Sequence, residues 1–210
     1  MTMAKPEAVI FDIGNVLVEW NPERIYAPLL SPAARRHLFG TVGLDAMNDA
    51  VDAGAPFHAA VTDLAARNPD QAAFIEMWRD RWAEMFAPVI DHSVHLLRAL
   101  RAKGVPVFAL SNFGAETFVM AETMYPFLAE FDRRYISAHM GVIKPDPQIY
   151  ALLEADCGFD PAGLLFTDDR ADNIATALAR GWQVHHFTGA PGLAGALVAA
   201  GLLTKTEARI

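Results

Sequence analysis

The sequence predicts an α/β fold in which helices cover a parallel sheet and a helical segment is inserted after the first strand. From Val105 onward, strand patterns and helix patterns alternate, which is typical of right-handed βαβ units and therefore of a parallel sheet. Between about Val18 and Ala87 the chain contains helix signals and no convincing strand. We therefore predict a core made of residues 1–17 and 88–210, and a helical cap made of residues 18–87.

Each predicted strand is a short apolar run that is bounded by turn residues. The predicted strands are Ala8 to Phe11, Val105 to Leu110, Tyr135 to Ala138, Leu164 to Thr167 and Gln183 to Phe187. Because the first of these runs is apolar throughout and contains β-branched residues, we place it at the centre of the sheet.

Helix starts and ends are indicated by capping residues, prolines and glycines. In the cap, Asn21-Pro22 predicts one helix start, and Asp70 predicts the start of a helix that carries Phe74, Trp78 and Trp82 at four-residue spacing. We interpret that aromatic stripe as core packing. In the core, helices are predicted to begin at Asp91 and at Asp146-Pro147, to run from Asn173 to Arg180, and to follow the Gly-rich start of the stretch Gly189 to Leu203.

Composition limits the classes of partner. Hydrophobic residues make up 53% of the 210 positions and charged residues 20%, which is typical of a packed globular protein. The formal net charge of −8 argues against nucleic acids and anionic membranes as partners, although local positive charge can still bind a small anion. A single cysteine, Cys157, excludes a disulfide within the chain. With this cysteine content and no signal-peptide pattern at the start of the chain, we expect a cytoplasmic protein. We expect it to be a monomer or a homodimer.

Polar residues follow four apolar stretches. Asp12, Ser111 and the pair Asp168-Asp169 each follow a predicted strand, and Lys144 follows the short stretch Gly141-Val142-Ile143. The carboxyl ends of parallel strands meet at one edge of a sheet, where open α/β sheets bind their ligands. We therefore expect a carboxylate, a hydroxyl, an ammonium group and a carboxylate pair to converge, a set that suits phosphoryl transfer.

The carboxylates have two alternative interpretations. Asp12 can attack phosphorus as a nucleophile, or it can cap local amides in a turn. Adjacent acids such as Asp168 and Asp169 repel each other unless a cation lies nearby, but they are also favoured at a helix N-terminus. If a cation is present, Asp12, the backbone carbonyl of Gly14 and the acid pair can supply oxygen ligands for Mg²⁺.

The hydroxyl and the ammonium group are weaker signals individually. The Ser111 hydroxyl and the amides near Asn112 can hold phosphate oxygens, although a Ser-Asn pair is also common in turns. Lys144 can offset negative charge on the nucleophile and on the transferring group, although most lysines are exposed. The order and strand-end placement of the whole set favour the functional interpretation.

These residues lie in four motifs that resemble those of the haloacid-dehalogenase-like hydrolase superfamily. The motifs read FDIGNVL (Phe11 to Leu17), LSN (Leu110 to Asn112), IKPDPQIY (Ile143 to Tyr150) and FTDDRADN (Phe166 to Asn173). The resemblance covers nearly the whole chain. It implies a Rossmann-like core with a helical-bundle cap that closes over the substrate.

The resemblance also implies roles for individual residues. Asp12 would be the nucleophile, Ser111 would bind phosphate, Lys144 would be the lysine of the third motif, and Asp169 would bind Mg²⁺ directly. Asp168 would bind the metal directly or through water. A small phosphorylated metabolite is the implied substrate.

One position departs from the pattern of the superfamily's phosphatases. Most of them carry a second aspartate two residues after the nucleophile, as the acid that protonates the leaving group, and here that position is Gly14. General acid catalysis contributes about 10²–10⁴-fold to a rate, so its loss has a large cost. Glu19 is a nearby candidate replacement. The FDIGNVL form is similar to that of bacterial α-glucose-1-phosphate phosphatases, whose anomeric leaving group needs less help from an acid.

Two alternatives and several cap residues stay open at this point. A 2-haloacid dehalogenase would use the same nucleophile, but the resemblance implies that such enzymes replace the motif-four acids, which this chain keeps. A non-catalytic binding protein on the same fold is the other alternative. For substrate contacts in the cap, the candidates are the stretch Asn48 to Gly54 and the side chains of Trp20, Trp78 and Arg81.

Overall fold

The computed structural model describes residues 5–210, in which seven strands alternate with helices. In chain order the strands are β1 (Ala8–Phe11), β2 (Val18–Trp20), β3 (Phe86–Val89), β4 (Val107–Ser111), β5 (Arg133–Ile136), β6 (Leu164–Asp168) and β7 (Gln183–His186). Five of them form the main sheet, in the order β5-β4-β1-β6-β7, and every pairing in this sheet is parallel. The predicted parallel α/β sheet is therefore confirmed.

The described helices are short to medium in length. The α-helices are α1 (Glu23–Tyr26), α2 (Pro32–Arg36), α3 (Leu44–Asp52), α4 (Phe57–Arg67), α5 (Ala72–Asp80), α6 (Trp82–Met85), α7 (Asp91–Ala102), α8 (Ala115–Met124), α9 (Ser137–Met140), α10 (Pro147–Cys157), α11 (Ala171–Ala179) and α12 (Ala190–Ala199). A π-helical turn spans His37–Val42, and 3₁₀ turns span Pro69–Gln71, Pro126–Glu130 and Pro161–Gly163. None of the described helices is long and apolar enough to cross a membrane.

The two faces of the sheet pack into two separate apolar clusters, because successive side chains of a strand point to opposite faces. On one face, Val9 and Phe11 pack in a cluster with α7 and α12, to which Leu97 and Leu193 belong. On the other face, Ile10 packs in a cluster with residues of α10 and α11. The sheet is thus the middle layer between helices, and its strand ends are fixed by a core on both sides.

The strand order creates a crevice beside β1. From β1 the chain passes through the inserted helices to β4 and β5, and it then returns to β6 on the opposite side of β1. Ligands of open α/β sheets bind where the order reverses in this way, at the carboxyl ends of the strands. The end of β1, at Phe11, is therefore the expected position of the site.

The prediction that residues 18–87 contain no strand is wrong at both ends of the segment. Strands β2 and β3 pair there as an antiparallel ribbon, in which Val18 lies opposite Val89. Three residues are too few for strand alternation to be visible in a sequence, and Pro88 lowers the strand signal of β3. The ribbon lies at the two predicted boundaries of the cap, so the division into residues 18–87 and the rest stays a prediction.

Three smaller predictions also need correction. Helix α1 begins at Glu23, and Asn21 makes no side-chain cap, since Pro22 precedes the helix directly. The aromatic stripe is divided between α5 and α6, which are separated at Arg81, and no side chain caps α5. The third predicted strand lies two residues earlier than expected, because Ser137 begins the short helix α9.

Candidate active site

The predicted polar residues converge at the carboxyl edge of the main sheet. Strand β1 lies between β4 and β6, so Asp12 follows β1 with Ser111 on one side and Asp168 on the other. The Asp12 backbone N–H continues the sheet by donating to the Thr167 carbonyl at 2.9 Å. Lys144 enters from the loop between α9 and α10. A cavity of about 500 Å³ opens over this edge.

Asp12 is a buried carboxylate whose Oδ1 atom is held by three donors. The Ser111 hydroxyl donates to Oδ1 at 2.6 Å, and the Ile13 backbone N–H donates at 2.7 Å. The Lys144 Nζ atom lies 3.0 Å from the same oxygen. Because Oδ1 is fixed in this way, the orientation of the whole carboxylate is fixed, and Oδ2 is the oxygen that can react with a ligand.

Lys144 is buried and its ammonium group has three acceptors. These are Asp12 Oδ1, Asp168 Oδ2 at 2.7 Å and the Leu110 carbonyl at 2.8 Å. Burial alone would lower the pKa of Lys144, but the two carboxylates outweigh it and the pKa is raised. Lys144 is therefore a permanent positive charge between two acids.

The side chain of Asn112 positions Lys144 by binding the backbone of Lys144. Its side-chain amide donates to the Lys144 carbonyl at 2.9 Å, and its Oδ1 accepts from the Lys144 N–H at 2.7 Å. These contacts give Asn112 a role that the sequence did not indicate. The phosphate-binding role that we predict for Asn112 stays a prediction.

The two acids of the fourth motif differ in their surroundings. Asp168 is fully buried, and it accepts from Lys144, from the Arg170 backbone N–H at 2.8 Å and from the Asn173 side chain at 3.0 Å. Asp169 is half-buried and faces the cavity, where it accepts from the Asn15 side chain at 3.0 Å. Asn15 and Asn173 both lie within the quoted motifs, but sequence reasoning gave neither of them a role.

The carboxylates of Asp12, Asp168 and Asp169 form a cluster that suits a hard cation. One oxygen of each lies within 4.8 Å of the others. The pKa of Asp12 is raised to about 7, first by burial and also by the neighbouring acids, whereas Lys144 and the Ser111 hydrogen bond oppose the shift. Burial and Asp168 also raise the pKa of Asp169. Three carboxylates lie here beside the ammonium group of Lys144, and oxygen donors in this number suit Mg²⁺. The Gly14 carbonyl stays a predicted fourth ligand.

A second wall of the cavity comes from residues 18–87, the predicted cap, and is mainly acidic and aromatic. Its acidic part is one face of α3, whose residues lie three or four apart and so line up along the helix. The cap side chains on this wall are Asp45, Asn48, Asp49 and Asp52 from α3, together with Trp20, Trp78, Trp82 and Phe86.

Half of the cap residues that the sequence singled out line the cavity, namely Asn48, Asp49, Asp52, Trp20 and Trp78. Arg81 instead lies on the surface, where it forms a bidentate pair with Glu84. What the sequence could not show is that the acids of α3 share a face, because the start of that helix at Leu44 has no strong capping signal.

The sequence model of the haloacid dehalogenase-like hydrolases matches residues 6–181. The chain belongs to this family. Its parallel sheet with flanking helices is the Rossmann-like core that the resemblance implied, and the family makes it a hydrolase.

Among haloacid dehalogenase-like relatives, a D-ribitol-5-phosphate phosphatase of Bacteroides thetaiotaomicron is 25% identical over 83% of this chain and 88% of its own length. A sesquiterpene phosphatase of Aspergillus oryzae is 32% identical, but the match spans 44% of this chain and only about half of that protein (47%). Among solved structures, a family member from Bacteroides thetaiotaomicron, in complex with magnesium and inorganic phosphate, superposes with a TM-score of 0.64 at 18% identity. That match covers 88% of this chain and 95% of the other.

Proposed function

We propose that this hydrolase is a Mg²⁺-dependent phosphomonoesterase that acts on a small phosphorylated metabolite through an aspartyl-phosphate. The observation that carries the proposal is the fixation of Asp12 Oδ1 by Ser111, Ile13 and Lys144, beside two further acids. A buried carboxylate whose one oxygen is held by three donors is preorganised to attack with the other.

In the first step Asp12 Oδ2 attacks phosphorus. A bond forms between Oδ2 and phosphorus, and the bond from phosphorus to the ester oxygen breaks. The ester oxygen leaves with the bonding electron pair, and it takes up a proton that none of the residues assigned so far supplies. In the second step a water molecule attacks phosphorus, the bond to Asp12 breaks, and inorganic phosphate and the free carboxylate are released. In the resting site Lys144 is charged, because its two carboxylate partners outweigh the effect of burial and raise its pKa.

Lys144 and Ser111 have separate tasks in this scheme. Lys144 Nζ lies within contact of both Asp12 and Asp168, so it offsets the charge that builds up when a phosphoryl group approaches them. Ser111 fixes the nucleophile through its 2.6 Å hydrogen bond. Because this hydroxyl lies beside the nucleophile, we expect it to donate to an oxygen of a bound phosphoryl group as well.

The acid cluster supports the choice of cation. Mg²⁺ held by Asp12, Asp168, Asp169 and the Gly14 carbonyl would supply positive charge for the phosphoryl oxygens. The relative of similar fold that was crystallised with magnesium and inorganic phosphate supports this choice. The three clustered carboxylates of this chain support it independently.

For the substrate we propose a phosphomonoester of a small polyhydroxylated compound. The carboxylates of Asp45 and Asp49 accept hydrogen bonds from hydroxyl groups, and their charge disfavours a second phosphate. Trp78 lines the cavity and presents an aromatic surface to a bound ligand. The volume of about 500 Å³ suits a small metabolite. The ribitol-phosphate phosphatase relative acts on a substrate of this class.

The test is phosphate release from a panel of sugar and polyol phosphates that includes sugar 1-phosphates. Each substrate is measured with Mg²⁺ and with EDTA, for the wild type and for Asp12→Asn. We expect release that requires both Mg²⁺ and Asp12. Asp63→Asn is the matched control, because Asp63 is an exposed acid of α4 and its loss makes the same change in charge.

The other outcomes have clear meanings. Phosphate release that persists in Asp12→Asn would contradict the assignment of the nucleophile. Halide release from 2-haloacids without phosphate release would support the dehalogenase alternative. Mg²⁺ binding without turnover of any substrate would support a binding protein.

A further inference from the structure

The proposed mechanism lacks a proton donor for the leaving alcohol. The position that carries this acid in most related phosphatases is Gly14. Glu19, the replacement that is nearest in sequence, is exposed and pairs with Arg24 at 2.9 Å. It is not among the described residues that line the cavity. The acid must therefore come from another element.

The cavity itself limits the choice. Its titratable side chains are Asp12, Asp45, Asp49, Asp52, Lys144, Asp169 and Arg170. Asp12 and Asp169 belong to the nucleophile and cation cluster, Lys144 is fixed between two carboxylates, and Arg170 pairs with Asp172. The acids of α3 remain. Asp45 and Asp49 are exposed, whereas Asp52 is partly buried at the end of the helix that meets the core.

The contacts of Asp52 with the core fix its position relative to Ser111. The Asp52 carbonyl accepts a 2.6 Å hydrogen bond from the Ser137 hydroxyl, and that hydroxyl accepts one from the Phe113 N–H at 2.9 Å. Phe113 lies two residues after Ser111. A chain of two hydrogen bonds thus joins the backbone of Asp52 to the loop that carries the phosphate-binding serine.

Close packing reinforces the same contact. A Cβ atom at Gly114 would lie 2.5 Å from the Val51 side chain, and a Cβ atom at Gly54 would lie 3.1 Å from the Ala138 carbonyl. Glycine at both positions lets the end of α3 approach the core more closely than any other residue allows. Asp52 is therefore the cap carboxylate that is best fixed against the catalytic edge.

We propose that Asp52 is the general acid and base that replaces the missing aspartate at Gly14. This assignment rests on the proposed phosphatase function. Protonated Asp52 gives its proton to the ester oxygen as the bond to phosphorus breaks. The Asp52 carboxylate then takes a proton from the water that attacks the aspartyl-phosphate, so that Asp52 returns to its protonated form.

The electrostatic surroundings of Asp52 suit this role. The pKa of Asp52 is raised to about 7, first by burial and also by Asp49 and Asp12, against the opposing effect of hydrogen bonds from the Asn48 side chain and the Gly114 backbone. An acid that titrates near the working pH is effective both as donor and as acceptor. Titratable groups on the elements around α3 include His58 on α4, Glu116 on α8 and His139 on α9.

The experiment compares leaving groups in Asp52→Asn. Glycerol phosphate leaves as an alkoxide that needs a proton, whereas para-nitrophenyl phosphate leaves as a stable phenolate that does not. With Mg²⁺, we expect kcat/KM of Asp52→Asn to fall by about 10²-fold or more on glycerol phosphate, which is the usual contribution of a general acid. On para-nitrophenyl phosphate we expect kcat/KM, which reports the attack of Asp12 on phosphorus, to fall by less than about tenfold. Asp63→Asn is the control for charge.

The results separate three cases. A selective loss on glycerol phosphate, together with loss of the basic limb of the pH profile, supports the assignment. Equal losses on the two substrates, or no loss, overturn it while the phosphatase function stands. If the wild type releases no phosphate from either substrate, the proposed function fails and the role of Asp52 fails with it. Retained turnover of para-nitrophenyl phosphate shows that the variant is folded.

Discussion

The side chain of Asn112 binds both backbone polar groups of Lys144, although the two residues are 32 positions apart. Asn112 follows the end of β4, and Lys144 lies in the loop between α9 and α10. The pair therefore fixes that loop to the sheet at the point from which the Lys144 side chain reaches Asp12 and Asp168. The position of the ammonium group is therefore set by the hydrogen bonds of Asn112 as well as by the ion pairs of Lys144 itself.

Replacement of Asn112 is expected to impair turnover by misplacing Lys144. Asn112→Ala removes two hydrogen bonds, each of which contributes about 0.5–1.5 kcal/mol to stability. A displacement of about 1 Å in a catalytic group lowers rates by about 10²-fold. Steady-state kinetics and urea unfolding measure the two effects. Asn68→Ala, which removes one hydrogen bond in the cap to the Leu64 carbonyl, serves as the control and should leave kcat unchanged.

Removal of the Lys144 charge is expected to destabilise the fold as well as to abolish turnover. In Lys144→Met two buried carboxylates lose their cation, and breaking a buried pair costs about 3–5 kcal/mol. Lys103→Met is the matched control, because Lys103 pairs with Glu207 at the surface and such pairs contribute about 0–1 kcal/mol. Equal unfolding midpoints for the two variants in urea would contradict the role of Lys144 in the core.

The main sheet and the catalytic edge were predictable because their signals are local. Apolar runs such as Ala8 to Phe11 identify buried strands, and the topology of parallel strands then requires Asp12, Ser111 and Asp168 to meet. The sequence did not predict a strand before Lys144, and the structure has none there. Lys144 reaches the site because its side chain is long and because Asn112 holds its backbone close to the end of β4.

The contacts between cap and core were not predictable from the sequence, because they depend on how segments that are far apart in the chain fit together in three dimensions. The hydrogen bond from Ser137 to Asp52 joins residues 85 positions apart, and neither residue type signals it. The ribbon of β2 and β3 was missed because pairing between short segments has no periodic signal of its own. The sequence did single out the stretch from Asn48 to Gly54, because polar residues near a glycine indicate a loop. In the structure, Asn48 to Asp52 instead belong to helix α3.

Magnesium is expected to stabilise the folded protein through the acid cluster. A ligand that binds only the folded state adds about 2.7 kcal/mol when its concentration is 100 times its Kd. Thermal unfolding with increasing MgCl₂ should therefore shift to higher temperature. Asp169→Asn should abolish most of the shift, and Asp63→Asn should retain it. A shift of equal size in Asp169→Asn would exclude Asp169 as a ligand.

Close packing of the cap against the core is expected to make Gly114 intolerant of a side chain. In Gly114→Ala the new Cβ atom would lie 2.5 Å from Val51 and 2.9 Å from the Thr117 hydroxyl. Overpacking of this kind costs about 1–3 kcal/mol. The double variant Gly114→Ala/Val51→Ala removes the closer contact, so its stability loss should be smaller than the sum of the two single losses. Additive losses in urea unfolding would show that the two residues are not in contact.

The raised pKa of Asp52 predicts a pH dependence of stability that does not require any activity. The pKa is 3.8 for an unperturbed aspartate and about 7 in the folded protein. Between these values the folded state binds more protons than the unfolded state, so this group makes the free energy of unfolding fall as the pH rises. Asp52→Asn lacks this effect. We therefore expect the stability of the variant relative to the wild type to rise from about pH 4 to about pH 7, in urea unfolding with EDTA present. Asp63→Asn controls for the change in net charge.

A stability difference between Asp52→Asn and wild type that stays constant over this pH range would show that the pKa of Asp52 is that of an ordinary surface acid. It would also remove the electrostatic support for the role of Asp52 as the proton donor.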